Sequence, residues 1–192
     1  MELECQTIQG FDGFADPSSL CISSECFSKK LLGENIDLKK SYDLAICLEA
    51  AEHEKEKFSN LIVENLTKAS KVILFSAALP GQGGTNHINE QPPEFWQKKF
   101  EDHRYTQFDI IRPIIWDDRA VAWWYKQNIF LYIHEESIEA LQLLDHTNSL
   151  TQKHIVHPEC LSSKITELDI DNASVTNLSK ALLKRIKKKL VS

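Results

Sequence analysis

The sequence predicts an α/β protein, a mostly parallel sheet with helices on its faces. Three observations carry this. Residues 42–48 (YDLAICL) and 72–78 (VILFSAA) are continuous apolar runs of strand length, as expected of strands buried on both faces. Between them, residues 55–69 place Phe58, Leu61, Ile62, Asn65 and Leu66 along one helical face. A further apolar run, 129–133 (IFLYI), follows a second helical stretch.

The elements follow in order. A first strand is predicted over 5–11, closed by Asp12-Gly13, with a short extended stretch at 25–28. The strand, helix and strand at 42–48, 55–69 and 72–78 come next. A long loop, PGQGGTNHINEQPPEFW (80–96), leads into a helix at 93–102, with Phe95, Trp96 and Phe100 near one side. Residues 108–113 read as a strand, 120–127 as a short helix and 129–133 as the last strand. The short helical link before that strand suits an antiparallel ending. Residues 1–134 therefore form the α/β domain and 135–192 a C-terminal extension. In the extension, 146–171 has no clear period, whereas 174–190 reads as a basic amphipathic helix. Leu178, Leu182, Ile186 and Leu190 line one side of it, and Lys180, Lys184, Arg185 and Lys187 to Lys189 fill the rest. Such a helix suits an acidic partner or a membrane surface. Cations near a helix C-terminus also satisfy its own dipole, leaving a solvated face.

Composition bounds the function. A chain of 192 residues is long enough for one domain with a proper core. Its net charge of −6 argues against general nucleic-acid binding, since nothing global attracts phosphates. No charged-then-apolar leader and no membrane-spanning apolar run is present, so a cytoplasmic protein is expected. Its five cysteines are then expected to be thiols. Cys21 and Cys26 lack a matching second pair, and the spacing assigns no metal site.

In parallel sheets, ligands bind beyond the carboxyl ends of the strands. Asp12-Gly13, 49–53 and 80–91 all fall there. Asp12 can accept hydrogen bonds from ribose hydroxyls, or simply belong to an Asp-Gly turn. Glu49 ends a strand at this edge, where its carboxylate can meet a cofactor or substrate. Glu52 and His53 follow as helix caps or as a functional pair; HExxH spacing is absent. In the loop, Gly81, Gly83 and Gly84 allow positive φ. Asn86, His87, Asn89, Glu90 and Gln91 then offer donors and acceptors in one short span. The Gly-Lys-Ser/Thr ending of a phosphate loop is missing, which argues against a nucleotide hydrolase. His87 is the candidate general base, because imidazole titrates near neutrality; it can equally be a loop histidine bonded to backbone. Trp116, Trp123, Trp124 and Tyr125 either wall a pocket or pack a helix on the sheet.

The segments QGFDG (9–13), YDLAICLEAAEH (42–53), VILFSAALPGQGGTNHINEQ (72–91) and RPIIWDD…WWYKQN (112–128) carry a resemblance. Together they resemble a bacterial family of class I S-adenosylmethionine-dependent methyltransferases, over residues 6–134. The resemblance implies a Rossmann-like, seven-stranded, mostly parallel sheet with a final antiparallel strand. It implies that Asp12, with Gly13, holds the cofactor ribose, and that Glu49 and its neighbours, His53 among them, line the methionine end. The loop from Pro80 would lie beside the transferred methyl group. His87 is then the candidate base and Glu90 the group orienting it or the acceptor. Asn86, Asn89, Gln91 and Trp124 are the candidate contacts to a small-molecule or saccharide-like acceptor.

Two departures stand against that pattern. The family's opening strand and glycine-rich turn, which cradles the methionine part of the cofactor, have no counterpart before Cys5. Leu31 stands where relatives often carry an acidic residue for the adenine amino group, and an unpaired buried amine costs about 1–3 kcal/mol. The expectation is thus an N-terminally truncated methyltransferase sheet with two exposed strand edges. Dimerisation, strand exchange or a rearranged N-terminal segment should follow. The alternative function is a folded but inactive paralogue serving as an interaction protein.

Overall fold

The structure, a computed structural model, describes residues 7–38, 40–138, 155–168, 174–176, 179–180 and 182–183. The chain divides into two compact units, Met1–His154 and Ile155–Ser192. Among the described residues, no helix is long and apolar enough to cross a membrane.

The first unit is mixed α/β. Strands β1 (Gly10–Phe11) and β2 (Phe27–Ser28) form a parallel pair of their own. The larger sheet holds β3 (Ala45–Leu48), β4 (Val72–Ser76), β5 (Tyr105–Phe108) and β6 (Phe130–His134), in the order β3-β4-β6-β5. The β3–β4 pair is parallel and is connected through helix α1 (Ser59–Ala69). Strand β6 is antiparallel to both β4 and β5, so β3, β4 and β5 point the same way. The last strand is therefore antiparallel, as the short link before it predicts. Among the described residues, the two sheets are not joined by strand pairing, and β3 lies at one edge of the larger one.

One face of the larger sheet carries the core. The register Ala45↔Ile73↔Tyr132 and Cys47↔Phe75↔Phe130 puts these six side chains on that face. Ile62 and Val63 of α1 pack there with Trp96 and Phe100 of α2 (Pro93–Glu101). Phe100 stacks on Tyr132 at 4.0 Å, and Phe75 meets Trp96 at 5.1 Å between ring centroids. Each such aromatic pair adds about 0.5–1.5 kcal/mol beyond area burial. Asn65 of α1 ties in the preceding chain, donating to the Glu34 carbonyl at 2.8 Å and accepting from the Ile36 N–H at 3.2 Å.

Several expectations are corrected. Strand β3 is not buried on both faces, since Ile46 is 61% exposed on the side opposite Ala45 and Cys47. The strand expected at 108–113 lies earlier, at β5. Pro113 instead occupies the first turn of α3 (Arg112–Ile115), where its missing N–H costs nothing. The helix expected at 120–127 is α4 (Trp123–Asn128), and Asp118 before it accepts the Ala120 N–H in a turn. A four-residue helix, α5 (Glu135–Ile138), follows β6.

In the second unit, where no period was expected over 146–171, helix α6 spans Pro158–Leu168. It starts with proline in its first turn, and His157 Nδ1 accepts the Glu159 N–H at 3.2 Å. Of the basic helix expected over 174–190, residues 175–176, 179–180 and 182–183 are helical, and most of the remainder lies outside the described residues.

Candidate functional site

The strand directions bring the carboxyl ends of β3, β4 and β5 and the amino end of β6 to one edge of the larger sheet. The segments at these ends are rich in polar side chains, and Glu52, Gln82, Asn89, Asp109, Arg112, Gln127 and Asn128 among them are buried.

Glu49 leaves β3 with φ +48°, a strained left-handed conformation for glutamate. Its N–H reaches Ser76 of β4, at 3.1 Å to the carbonyl and 3.0 Å to Oγ. The turn aims its carboxylate across the sheet edge. Oε2 accepts from Gln82 Nε2 at 2.9 Å, and Oε1 accepts from Asn128 Nδ2 at 3.0 Å. Asn128 Nδ2 also donates to Gln82 Oε1 at 2.8 Å, and Gln127 Nε2 donates to Asn128 Oδ1 at 3.2 Å. Gln82, Gln127 and Asn128 are all buried. One carboxylate and three amides thus lock the β3 end, the β4 loop and the end of α4 together.

Behind this network lies a buried ion pair. Arg112 Nε donates to Asp109 Oδ1 at 2.7 Å, and Nη2 pairs with Oδ2 in a two-pronged contact. Nη1 donates to the Gln127 carbonyl at 3.0 Å, and the guanidinium lies 4.2 Å from the Phe130 ring centroid. The pair holds α3 against the end of α4 and so positions Gln127 and Asn128.

The second group centres on His87. Its Nδ1 lies 3.2 Å from Glu90 Oε1, and its Nε2 lies 3.9 Å from Glu52 Oε1. Glu90 is itself fixed, since its carboxylate accepts the Gly81 N–H at 2.8 Å and the Gly83 N–H at 2.6 Å. Both glycines have positive φ, at +85° and +71°, which turns their N–H groups inward. Gly84 packs so tightly that a Cβ there would meet His87 Nε2 and Cε1 at 2.4 Å. The His53 ring meets His87 edge to face, 4.9 Å between centroids.

Glu52 is fully buried, and neither carboxylate oxygen has a hydrogen-bond partner. Burial, with the nearby Glu49 charge, pushes its carboxyl up to about 7; the neighbouring backbone amides of Glu52 and Ala78 offset only part of this. Neither amide reaches it in normal hydrogen-bond geometry. Glu52 is held by its main chain, because its carbonyl accepts the N–H groups of Ile88 at 2.9 Å and Asn89 at 3.1 Å. Desolvation, with the Glu52 and Glu49 charges adding to it, also pushes the Cys47 thiol up to about 12, which makes it an inert core residue.

The sequence-predicted residues divide accordingly. His87, Glu90 and His53 are brought together with Glu52, and Glu49 anchors the adjoining network. Asn89 is buried and occupied: Nδ2 donates to Ser59 Oγ at 3.2 Å, and Oδ1 accepts from Gln91 Nε2 at 3.0 Å. Both residues pin the loop to α1. Asn86 is exposed with φ +62°, a conformation asparagine tolerates. Trp124 is 38% exposed, on the helix that ends in Asn128. Asp12 Oδ1 accepts the N–H groups of Phe14 at 2.6 Å and Ala15 at 2.7 Å, an Asx turn. Leu31 packs on Gly13, where a Cβ would lie 2.2 Å from Leu31 Cδ2.

Sequence reasoning missed the burial of Glu52 and the roles of Gln82, Asp109 and Arg112. Helix α1 carries no side-chain cap and both Glu52 oxygens are unpartnered, so Glu52 does not cap the following helix. The available signal was two glutamates three apart, Glu49 and Glu52, flanking two alanines at a strand end.

Comparison with protein-family models, with curated proteins and with solved structures finds no match to this chain.

Proposed function

We propose that the chain transfers a methyl group from S-adenosylmethionine to a small-molecule or saccharide-like acceptor, with His87 as general base. The observation that carries this reading is the His87 imidazole. It is oriented through Nδ1 by a backbone-anchored Glu90, and its Nε2 lies 3.9 Å from Glu52 Oε1 in the turn after β3. A carboxylate on Nδ1 fixes the tautomer with the proton there and leaves Nε2 basic, as a proton acceptor requires.

The donor set suits the cofactor in part. Each Glu49 oxygen accepts one amide N–H, leaving a further lone pair for an ammonium group. Asp12 uses Oδ1 in its own turn, which leaves Oδ2 for a ribose hydroxyl. His53 is exposed and meets the His87 ring edge to face. S-adenosylmethionine, when bound, supplies an electrophilic methyl carbon. This chain's residues position the acceptor, with Asn86 and Trp124 exposed to meet it, and His87 takes the acceptor proton at Nε2. Methyl transfer is dominated by such positioning. Isothermal titration with S-adenosylmethionine tests binding, and His87→Ala tests the base. The variant should retain cofactor heat and lose about 10²–10⁴-fold in turnover. Equal turnover would overturn the assignment.

A second reading rests on a separate observation. Leu31 fills the space over Gly13, and Asp12 is already engaged in a turn. Both favour an inactive methyltransferase-like interaction protein. That reading predicts no heat with the cofactor and an unchanged cellular role in Asp12→Ala and His87→Ala.

A further inference from the structure

We propose that Glu52, His53 and His87 form a site for a divalent transition-metal ion of the zinc type, with Glu90 as the carboxylate that orients His87. The proposal goes beyond methyl transfer and is compatible with it only with the ion, in place of His87, acting on the acceptor proton.

Four observations carry it. One ligand atom from each of the three residues lies within 4.8 Å of the others. Around a tetrahedral ion with bonds of about 2.0–2.2 Å, ligand atoms sit roughly 3.3–3.6 Å apart. Glu52 Oε1 and His87 Nε2, at 3.9 Å, are already close to this, and the exposed His53 offers a ring nitrogen within 4.8 Å of the other two ligand atoms. Second, Glu52 is fully buried with both oxygens unpartnered, and among the described residues no lysine or arginine pairs with it. A carboxylate in that position is costly unless a cation meets it. Third, His87 bonds Glu90 through Nδ1, the carboxylate–histidine arrangement that fixes ring and tautomer for a metal on Nε2. Fourth, this arrangement is rigid. Glu90 is held by two glycine N–H groups, Gly84 abuts the His87 ring, and the Glu52 carbonyl takes two N–H groups from the same loop.

Two imidazoles and one carboxylate suit zinc, cobalt or nickel rather than calcium or magnesium. Three protein ligands with an exposed His53 leave a position open to water or a substrate oxygen. With an ion on Nε2, His87 no longer takes a proton. An acceptor hydroxyl at the open position would instead be acidified by the ion. The spacing rules gave no hint of this, because the ligands come from the turn after β3 and the loop after β4.

The test uses the full chain, stripped with chelator and titrated with Co²⁺, followed by displacement with Zn²⁺. The expected result is one Co²⁺ per chain with the intense visible absorption of a low-coordinate nitrogen–oxygen site, lost on adding Zn²⁺. His87→Ala and Glu52→Gln should abolish it, and Glu90→Gln should weaken binding by about 10–100-fold. Because His53 is exposed, His53→Ala keeps the test valid even if the buried variants misfold. It should weaken binding at least tenfold while leaving the circular dichroism unchanged. No absorption at millimolar Co²⁺, thiolate-to-cobalt charge-transfer bands, or undiminished binding in His53→Ala would each overturn the proposal. Since the probe is the metal alone, failure here leaves the methyl-transfer reading standing.

Discussion

Replacing Glu52 by glutamine isolates a fully buried carboxyl group whose two oxygens have no hydrogen-bond partner. Glu52 is 0% exposed, and its carboxyl is pushed from 4.5 up to about 7 by burial and by the Glu49 charge. The folded state therefore holds a proton that the unfolded chain releases. For a folded pKa raised above the unfolded one, the stabilising contribution is complete below the unfolded pKa. It is lost as pH rises through the folded pKa, here across the window from 4.5 to about 7. A shift of this size corresponds to roughly 3 kcal/mol, of which about 2–3 kcal/mol falls between about pH 5 and about pH 8. Glutamine cannot ionise, so this component vanishes in Glu52→Gln. The assay is urea unfolding of both proteins with chelator present, so that only the carboxylate's titration is read. Stability of the native protein relative to the variant should fall by that amount as pH rises over this range. A difference that stays flat within about 0.5 kcal/mol, or rises with pH, would refute the picture of a desolvated, unpartnered carboxylate.

Three further outcomes follow from the geometry. Arg112→Ala strands the Asp109 charge in the interior and frees the Gln127 carbonyl, and should cost about 3–5 kcal/mol in urea unfolding; a cost under about 1 kcal/mol would show the pair to be solvated. Gly84→Ala brings a methyl to 2.4 Å from the His87 ring at φ +153°, and should displace the His87 imidazole resonances in NMR while costing on the order of 1 kcal/mol; unmoved resonances would contradict the close contact. Ile46→Lys places a charge on the exposed face of the edge strand β3, and should leave stability within about 0.5 kcal/mol while lowering self-association in light scattering; unchanged association would show that this edge is not where copies meet.

The larger elements were legible because their physics is local. Val72–Ser76 and Phe130–His134 are short apolar runs, and the spacing of Phe95, Trp96 and Phe100 marks one face of α2. The error at 108–113 has a tertiary cause. FDIIRP looks like a strand, but Arg112 turns inward to meet Asp109, and Pro113 opens a helix. Helix α6 went unseen because its apolar residues are sparse, although Pro158 after a histidine cap was a usable start signal. In the site, the glycines and His87 stood out from loop composition. Glu90 was legible with them as a candidate to orient His87; Glu52 was not, since its burial depends on Ile88 and Asn89 crossing back over its carbonyl. Glu49, Gln82 and Asn128 meet only because β6 runs antiparallel beside β4, which no short window of sequence encodes.

Among the described residues, β3 pairs only with β4, and β1 and β2 form a sheet of their own. Asp12 and Gly13 follow a strand of a different sheet from the one whose strand Glu49 follows. Cofactor binding thus depends on whether Asp12 and Glu49 act on one molecule.

Isothermal titration of S-adenosylmethionine into the full chain addresses this most directly, with Glu49→Ala and Asp12→Ala alongside. The methyl-transfer account predicts saturable heat for a single site, weakened by both substitutions. No heat at millimolar cofactor, or heat indifferent to both substitutions, would contradict it.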